Sequence, residues 1–430
     1  MPIHPPRRVS VQLFLLAAAA LVVYIACFGI PLIADDYPNI AQSLSYGAPE
    51  GAARLLADAQ FRLRATSYWA MYGLWQAAGA SAWAYHAASV ALHIAGTWLL
   101  WLVASAWPRM RTSAFWAALF FAVYEGHQEA VMWFSAINEL LMFGFGMASL
   151  WCWMGSPGGG NEARGWIREA AGVALFAMAL LSKESAVILL PLFVLTAEPG
   201  EWRKRLPRLA PYVVLAGLAV LSIAQSRANS FRFSDGSFSL HAPFWLTWPH
   251  SMGRLLWIFG WLAVAALRFV APGLRWWRGL SAVFGWMGIA LVPYSFLTYS
   301  TRIPSRQVYL ASAGLALLVG LAMARIAGHR LATAVLAVML AVNTATVWTK
   351  RRGQFVERAA PTEALLDFAR KTAGPIWVQC FPLPPFVAGE AMHLVLARSA
   401  SDLVWVESVA RERGAAGFCY RDPADSASAR

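Results

Sequence analysis

The chain has 430 residues, 59% hydrophobic and 13% charged, with a formal net charge of +13. Its mean hydropathy of +0.51 excludes an ordinary soluble domain, which needs a charged skin, and implies a polytopic membrane protein. The excess cations do not mark a nucleic-acid binder: they lie in short clusters between apolar runs, at Arg7/Arg8, Arg109/Arg111, Arg203/Lys204/Arg205/Arg208, Arg275/Arg278 and Arg325/Arg330, the pattern that orients helices in a bilayer.

Taken in chain order, the apolar runs predict an all-α membrane protein of about eleven transmembrane helices. The first covers roughly residues 11–33, from the cytoplasmic Arg pair to Asp35 and Asp36 outside. It is longer than a signal-peptide core and is read as an uncleaved anchor. A first outer loop follows over about 35–82, where "FRLRATSYWAMYGLWQ" has the Trp/Tyr content of interfacial helices. The second span, roughly 83–106, returns inward. The third rises from about 113 and stops early at "YEGHQEAV". The fourth, about 131–153, descends to "GSPGGGNEARGW", a flexible inner loop by its Gly, Pro and Asn.

The fifth run rises to "LLSKESAV" and the sixth falls to "EPGEWRKRLPR". The seventh, roughly 209–225, leads to a polar, aromatic outer loop. The remaining runs end at "GLRWWRG", "TYSTRIPSRQ", "IAGHR" and "TKRRGQF". This parity divides the chain into a transmembrane domain over 1–350 and a small extracytoplasmic C-terminal domain over 351–430. There "PIWVQCFPLP" and "HLVLARSASDLVWVE" read as an α/β appendage. Cys27 and Cys152 fall in apolar runs. Cys380 and Cys419 share the tail, where a disulfide is expected only if the tail faces an oxidising compartment.

The same parity gathers the polar clusters at the outer ends of helices, where ionisable groups usually face a protein-lined cavity. Asp35 and Asp36 are candidates for a general base, because adjacent carboxylates resist joint ionisation; the competing reading is a helix N-cap before Pro38. His127 and Glu129 flank Gln128 and read either as an acceptor or donor contact or as a pair holding a helix break. Asn138 and Glu139 lie inside the next helix, where Glu139 requires a polar neighbour, and both are further candidates for an acceptor or donor contact. Lys183, beside Glu184, is an anion-binding cation or the charged tip of a helical hairpin. Arg302 and Arg306 would share one face of a helix and suit a phosphate or a lipid headgroup, as would Arg62 with Arg64. A divalent ion at Asp35, Asp36, His127 and Glu129 would require all four to converge. A base, a His/Glu pair and several cations at one surface equip a chain to move a group off a lipid-linked phosphate.

In series, "ADDYPNI", "FRLRATSYWAMYGLWQ…YHAASVALH", "HQEAVMWFSAINELL", "LLSKESAVILLPL" and "RQVYLASAGLALL" resemble GT-C-fold membrane glycosyltransferases, over about residues 30 to 320. The likeness is strongest to the branch of tetratricopeptide-linked transmembrane O-mannosyltransferases and their bacterial relatives. It implies transfer of a sugar, of hexosyl or mannosyl type, from a polyprenyl-phosphate carrier to a glycan, lipid or protein acceptor at the extracytoplasmic face. The anomeric centre would be inverted. It also implies Asp35 as the base with Asp36 beside it, His127 and Glu129 as acceptor or donor contacts, and Lys183 and Arg306 on the carrier phosphate. The chain departs from the family at Tyr124, Glu125, Ile137 and Ser305, and it lacks the tetratricopeptide tail, which leaves sugar and acceptor open. The alternative is a glycolipid transporter, flippase or binding protein without turnover. The Arg-rich, Ala-rich composition fits a bacterium with a GC-rich genome, and the expected location is its cytoplasmic (inner) membrane, with the active site facing the periplasm or exterior.

Overall fold

A computed structural model of the chain describes residues 6–155, 162–197, 205–226, 236–270, 276–326 and 330–421. The expected loop at 156–161, the basic residues Arg203, Lys204 and Arg275, and residues 227–235 of the outer loop after the seventh run lie outside the described residues.

The apolar runs fold as helices. Helix α1 (Pro6–Tyr24) opens on a proline, which suits a first helical position because its missing N–H has no intrahelical partner anyway. It tightens into a 3-10 turn at Ile25–Gly29 and gives way to extended chain before Pro31. Helix α2 (Asp36–Tyr46) begins at the acidic pair, with Pro38 in its first turn. Helices α3 (Ala52–Ala57), α4 (Ala65–Ala78), α5 (Ala82–Ala106) and α6 (Ala114–Val123) follow. The run after α6 does not continue straight. A 3-10 turn at Glu125–His127 leads to α7 (Gln128–Met132), and the chain bends by 97° near Trp133 before α8 (Ile137–Met154).

Helices α9 (Glu162–Leu180), α10 (Leu189–Thr196) and α11 (Ala210–Ser226) precede a second bent pair, α12 (Phe244–Leu255) and α13 (Phe259–Val270), broken by 68°. Then come α14 (Trp276–Leu291), α15 (Tyr309–Ile326), α16 (Arg330–Thr346) and α17 (Arg352–Lys371). Among the described residues six helices are long and apolar enough to cross a membrane, or eight if each bent pair is one span. The expectation was about eleven. The runs starting near 113 and 184 form short apolar helices, Arg111–Val123 and Glu184–Thr196; the charged residues at 125–129 close the first, and the polar residues at 182–185 set the start of the second.

The core of the membrane part is continuous across α1, α5, α6, α8, α14 and α15. One crossing is set by a glycine. A Cβ on Gly320 would lie 2.7 Å from the Cβ of Ala117, so α15 and α6 approach closely only because that position lacks a side chain.

After α17 the chain forms a three-stranded parallel sheet, β1 (Ile376–Cys380), β2 (Leu403–Val404) and β3 (Ala416–Cys419), in the order β2-β1-β3. Parallel strands need crossovers, supplied here by α18 (Pro385–Leu396) and α19 (Glu407–Glu412). Cys380 and Cys419 form a disulfide joining β1 to β3. A second apolar core unites Leu32, Tyr37 and Ile40 with Leu366, Ala388 and Met392. The C-terminal unit therefore packs directly on α2, the helix that opens with the acidic pair.

Candidate active site

The acidic pair follows a backbone constraint. Ala34 has φ +38°, a left-handed conformation that costs an L-residue roughly 1–2 kcal/mol. The turn sends the two neighbouring carboxylates into different surroundings. Asp36 is fully buried. Its Oδ2 accepts the backbone N–H of Ile33 at 2.8 Å, and its Oδ1 accepts both the backbone N–H (2.7 Å) and the hydroxyl of Ser135. Burial pushes the Asp36 carboxyl up to about 7; the Ser135 and Ile33 donors pull it back and the neighbouring Asp35 adds to the rise. Asp36 thus ties the start of α2 to the bend between α7 and α8.

Asp35 is placed differently. By surface area it is exposed, and its carboxylate accepts no hydrogen bond from any described residue. It occupies the N-cap position of α2 without making a side-chain cap bond, so the N-cap reading finds no support. Enough protein surrounds it that desolvation raises its carboxyl above the usual range, while the Arg306 guanidinium pulls it down. Asp35 is the carboxylate with open coordination, and the Arg306 charge acts on it.

Arg306 belongs to a 3-10 turn, Ser305–Val308, that leads into α15. Its guanidinium lies 4.7 Å above the ring of Trp133, a cation–π contact at the α7/α8 bend. Its backbone N–H donates to Glu129 Oε2 at 3.2 Å, and its Nη1 lies 3.9 Å from the same oxygen. Across the carboxylate, Arg358 Nη2 stands 3.7 Å from Glu129 Oε1. The bend therefore brings Asp35, Asp36, Glu129 and Arg306 into one cluster with Arg358, Trp133 and Ser135.

A second cluster lies at the start of α8. Glu139 and Lys183 are both buried and form an ion pair. The Lys183 ammonium also lies 5.0 Å above the ring of Tyr294, whose hydroxyl donates to Glu139 at 3.2 Å. Lys183 is the polar neighbour that Glu139 requires, and adjacent Glu184 turns instead to Arg64, both of its oxygens at 3.0 Å from Nη2. Asn138 is buried beside Glu139.

The other expected residues sit elsewhere. His127 is fully buried; its Nε2 hydrogen-bonds Ser312 at 2.6 Å, and its ring packs on Phe121, Tyr309 and His93. It faces the helical core rather than the carboxylates, so Asp35, Asp36, His127 and Glu129 do not converge as a metal site would require. Among the described residues no three of His, Cys, Asp and Glu are grouped to hold a metal. Arg302 and Arg306 do not share a helical face: Arg302 lies in exposed chain before the 3-10 turn begins, where Pro304 precedes the turn. Arg62 bonds the carbonyls of Ala57 and Asp58 at the end of α3.

Arg358 was not among the residues singled out in the sequence, because it lies in the segment assigned to the C-terminal appendage. The available signal is its spacing. Arg351 and Arg358 are seven apart, two turns on one face, and meet Glu125 and Glu129, four apart. Arg351 binds Glu125 tightly, at 2.9 Å.

The same architecture occurs in solved structures of low sequence identity. ArnT from Cupriavidus metallidurans superposes in its apo state with a TM-score of 0.56 at 14% identity, over 94% of this chain and 88% of that one. The same protein bound to undecaprenyl phosphate gives 0.53 at 14% identity, over 94% and 89%. The archaeal oligosaccharyltransferase AglB from Archaeoglobus fulgidus, in complex with an inhibitory peptide and a dolichol-phosphate, gives 0.52 at 11% identity, over 91% of this chain and 64% of its own length. No family model and no curated protein sequence matches the chain. ArnT and AglB are polytopic membrane proteins of the GT-C fold, and this chain has that fold.

Proposed function

We propose that the protein is a membrane glycosyltransferase that moves a sugar from a polyprenyl-phosphate carrier to an acceptor at the extracytoplasmic face, with inversion. The observation that carries the reading is the division of labour in the acidic pair. Asp36 is saturated by three donors, whereas Asp35 is exposed, unbonded and under the influence of the Arg306 charge. Asp35 accepts the acceptor's proton as the acceptor oxygen attacks the anomeric carbon. The carbon–phosphate oxygen bond breaks, and its electron pair leaves on the carrier phosphate. A phosphate leaving group needs nearby cations, and Arg306 supplies a guanidinium able to donate two parallel hydrogen bonds.

Three further features support the reading. The fold is shared with structures described as bound to undecaprenyl phosphate and to dolichol-phosphate. Among the described residues six helices are long and apolar enough to cross a membrane, the setting a lipid-linked donor requires. A disulfide in the C-terminal unit suits an oxidising, extracytoplasmic compartment. Lys183 serves the carrier phosphate only if it can be drawn from Glu139. The sugar transferred is of hexosyl or mannosyl type by the sequence resemblance alone.

Purified protein in proteoliposomes, given a panel of polyprenyl-phosphate sugars and candidate acceptors, is expected to release polyprenyl phosphate. Saturable lipid binding with no release from any donor would instead make it a glycolipid-binding or flipping protein.

A further inference from the structure

We infer that Arg358, carried by the helix that leads into the C-terminal unit, is a second anion-binding guanidinium of this site. Together with Arg306 it grips the phosphate of the lipid carrier. The inference rests on the lipid-phosphate reading above and adds to it a residue outside the membrane domain read from the sequence.

Two pairs join α17 and the turn before it, Val347–Arg351, to the α7 segment, and they are unlike. Arg351 and Glu125 meet at 2.9 Å, with both side chains mostly sequestered, and such a pair fastens one element to another. Arg358 and Glu129 stand at 3.7 Å, and the arginine side chain is 50% exposed. A guanidinium has five N–H donors in a planar fork. Apart from the long approach to Glu129 and a 5.2 Å stacking contact with Phe355, those of Arg358 meet no described residue.

Glu129 presents one oxygen to each arginine. It holds two like charges on one side of the site without engaging either at full bonding distance. Two spaced guanidiniums with unspent donors match the oxygens of a phosphate. The mount is firm: α17 is tied to α2 by Tyr37 and Glu363 at 3.5 Å and by the shared apolar core. Arg358 is thus fixed to the helix that opens with Asp35 and Asp36, so base and anion site are held in register.

The test uses the full-length protein in phosphatidylcholine nanodiscs, with undecaprenyl phosphate, phosphatidylglycerol and neutral undecaprenol as probes. Arg358→Gln is expected to weaken undecaprenyl phosphate binding at least about tenfold, Arg358→Lys less, because an ammonium keeps the charge but loses the fork. Arg351→Gln should lower thermal stability and leave that affinity unchanged, and undecaprenol binding should not respond to any variant. Arg358→Gln and Arg358→Lys binding undecaprenyl phosphate as wild type does would remove Arg358 while leaving the lipid-phosphate reading intact. Equal weakening of phosphatidylglycerol would reduce Arg358 to a headgroup contact and overturn the inference. A wild type that does not prefer undecaprenyl phosphate to undecaprenol would overturn both inference and reading.

Discussion

Two aspartates adjacent in sequence are separated in chemistry by what surrounds them. Asp36 is a strut and Asp35 an open carboxylate, and residue type alone left their roles undivided. The Arg306 charge lowers the Asp35 carboxyl from the level that burial would give it. A general base must be deprotonated, so activity should rise with pH through the Asp35 titration and then level off. Arg306→Gln removes the lowering influence, and the acid limb of the pH–rate profile should move to higher pH; a limb that stays in place while only the plateau falls would separate Arg306 from Asp35. The buried Lys183–Glu139 pair supports a different expectation. Removing one partner strands a buried charge, which costs about 3–5 kcal/mol, whereas replacing both with apolar groups is often tolerated. Lys183→Met should therefore unfold at a lower temperature, and Lys183→Met with Glu139→Leu should recover most of the loss. If the double variant melts like wild type but no longer releases polyprenyl phosphate, Lys183 acts on the carrier as well as on Glu139.

The bend between α7 and α8 assembles the site. Its 97° turn places Trp133 under Arg306 and Ser135 against Asp36, while the first turn of α8 carries Asn138 and Glu139. The sequence marks Glu129 and an early stop at "YEGHQEAV", but it carries the next span straight on from about 131, through the bend, and gives no direction for the side chains. His127 shows the difficulty: two residues from Glu129, it turns into the aromatic core with His93 and Tyr309. The helical face expected for Arg302 and Arg306 failed for a similar reason, since the chain around Pro304 is not helical there. Acidic pair, Glu129, Lys183 and Arg306 were legible because charge is conspicuous in an apolar chain. Ser135, Trp133 and Arg358 were not, because only the fold brings them near. Close helix packing is also invisible without partners. Gly320→Ala should push α15 from α6 and lower stability by about 1–3 kcal/mol, measurable as a fall in the thermal unfolding temperature in detergent; unchanged melting would mean the crossing has slack.

Across the whole molecule, the C-terminal unit packs directly on α2, the helix that follows the acidic pair. Its core includes Tyr37 and Ile40 of α2 together with Leu366 and Met392, and each such side chain, fully buried, stabilises by about 1.5–3 kcal/mol. The disulfide spans 39 residues, and replacing Cys380 and Cys419 with Ser should cost the unit about 2–4 kcal/mol. Limited proteolysis should then cut earlier in this segment, and turnover should fall with it because α2 loses support. Unaltered turnover after cleavage would show that α2 holds its place alone. The most direct measurement compares release of polyprenyl phosphate by wild type, Asp35→Asn and Asp36→Asn in proteoliposomes, with melting temperature and lipid binding recorded for each. Asp35→Asn should retain fold and binding but lose at least about a hundredfold in turnover, the lower range for a positioned acid or base. Asp36→Asn should first lose stability, because an amide cannot accept all three donors. Wild-type turnover by Asp35→Asn would contradict its role as the base.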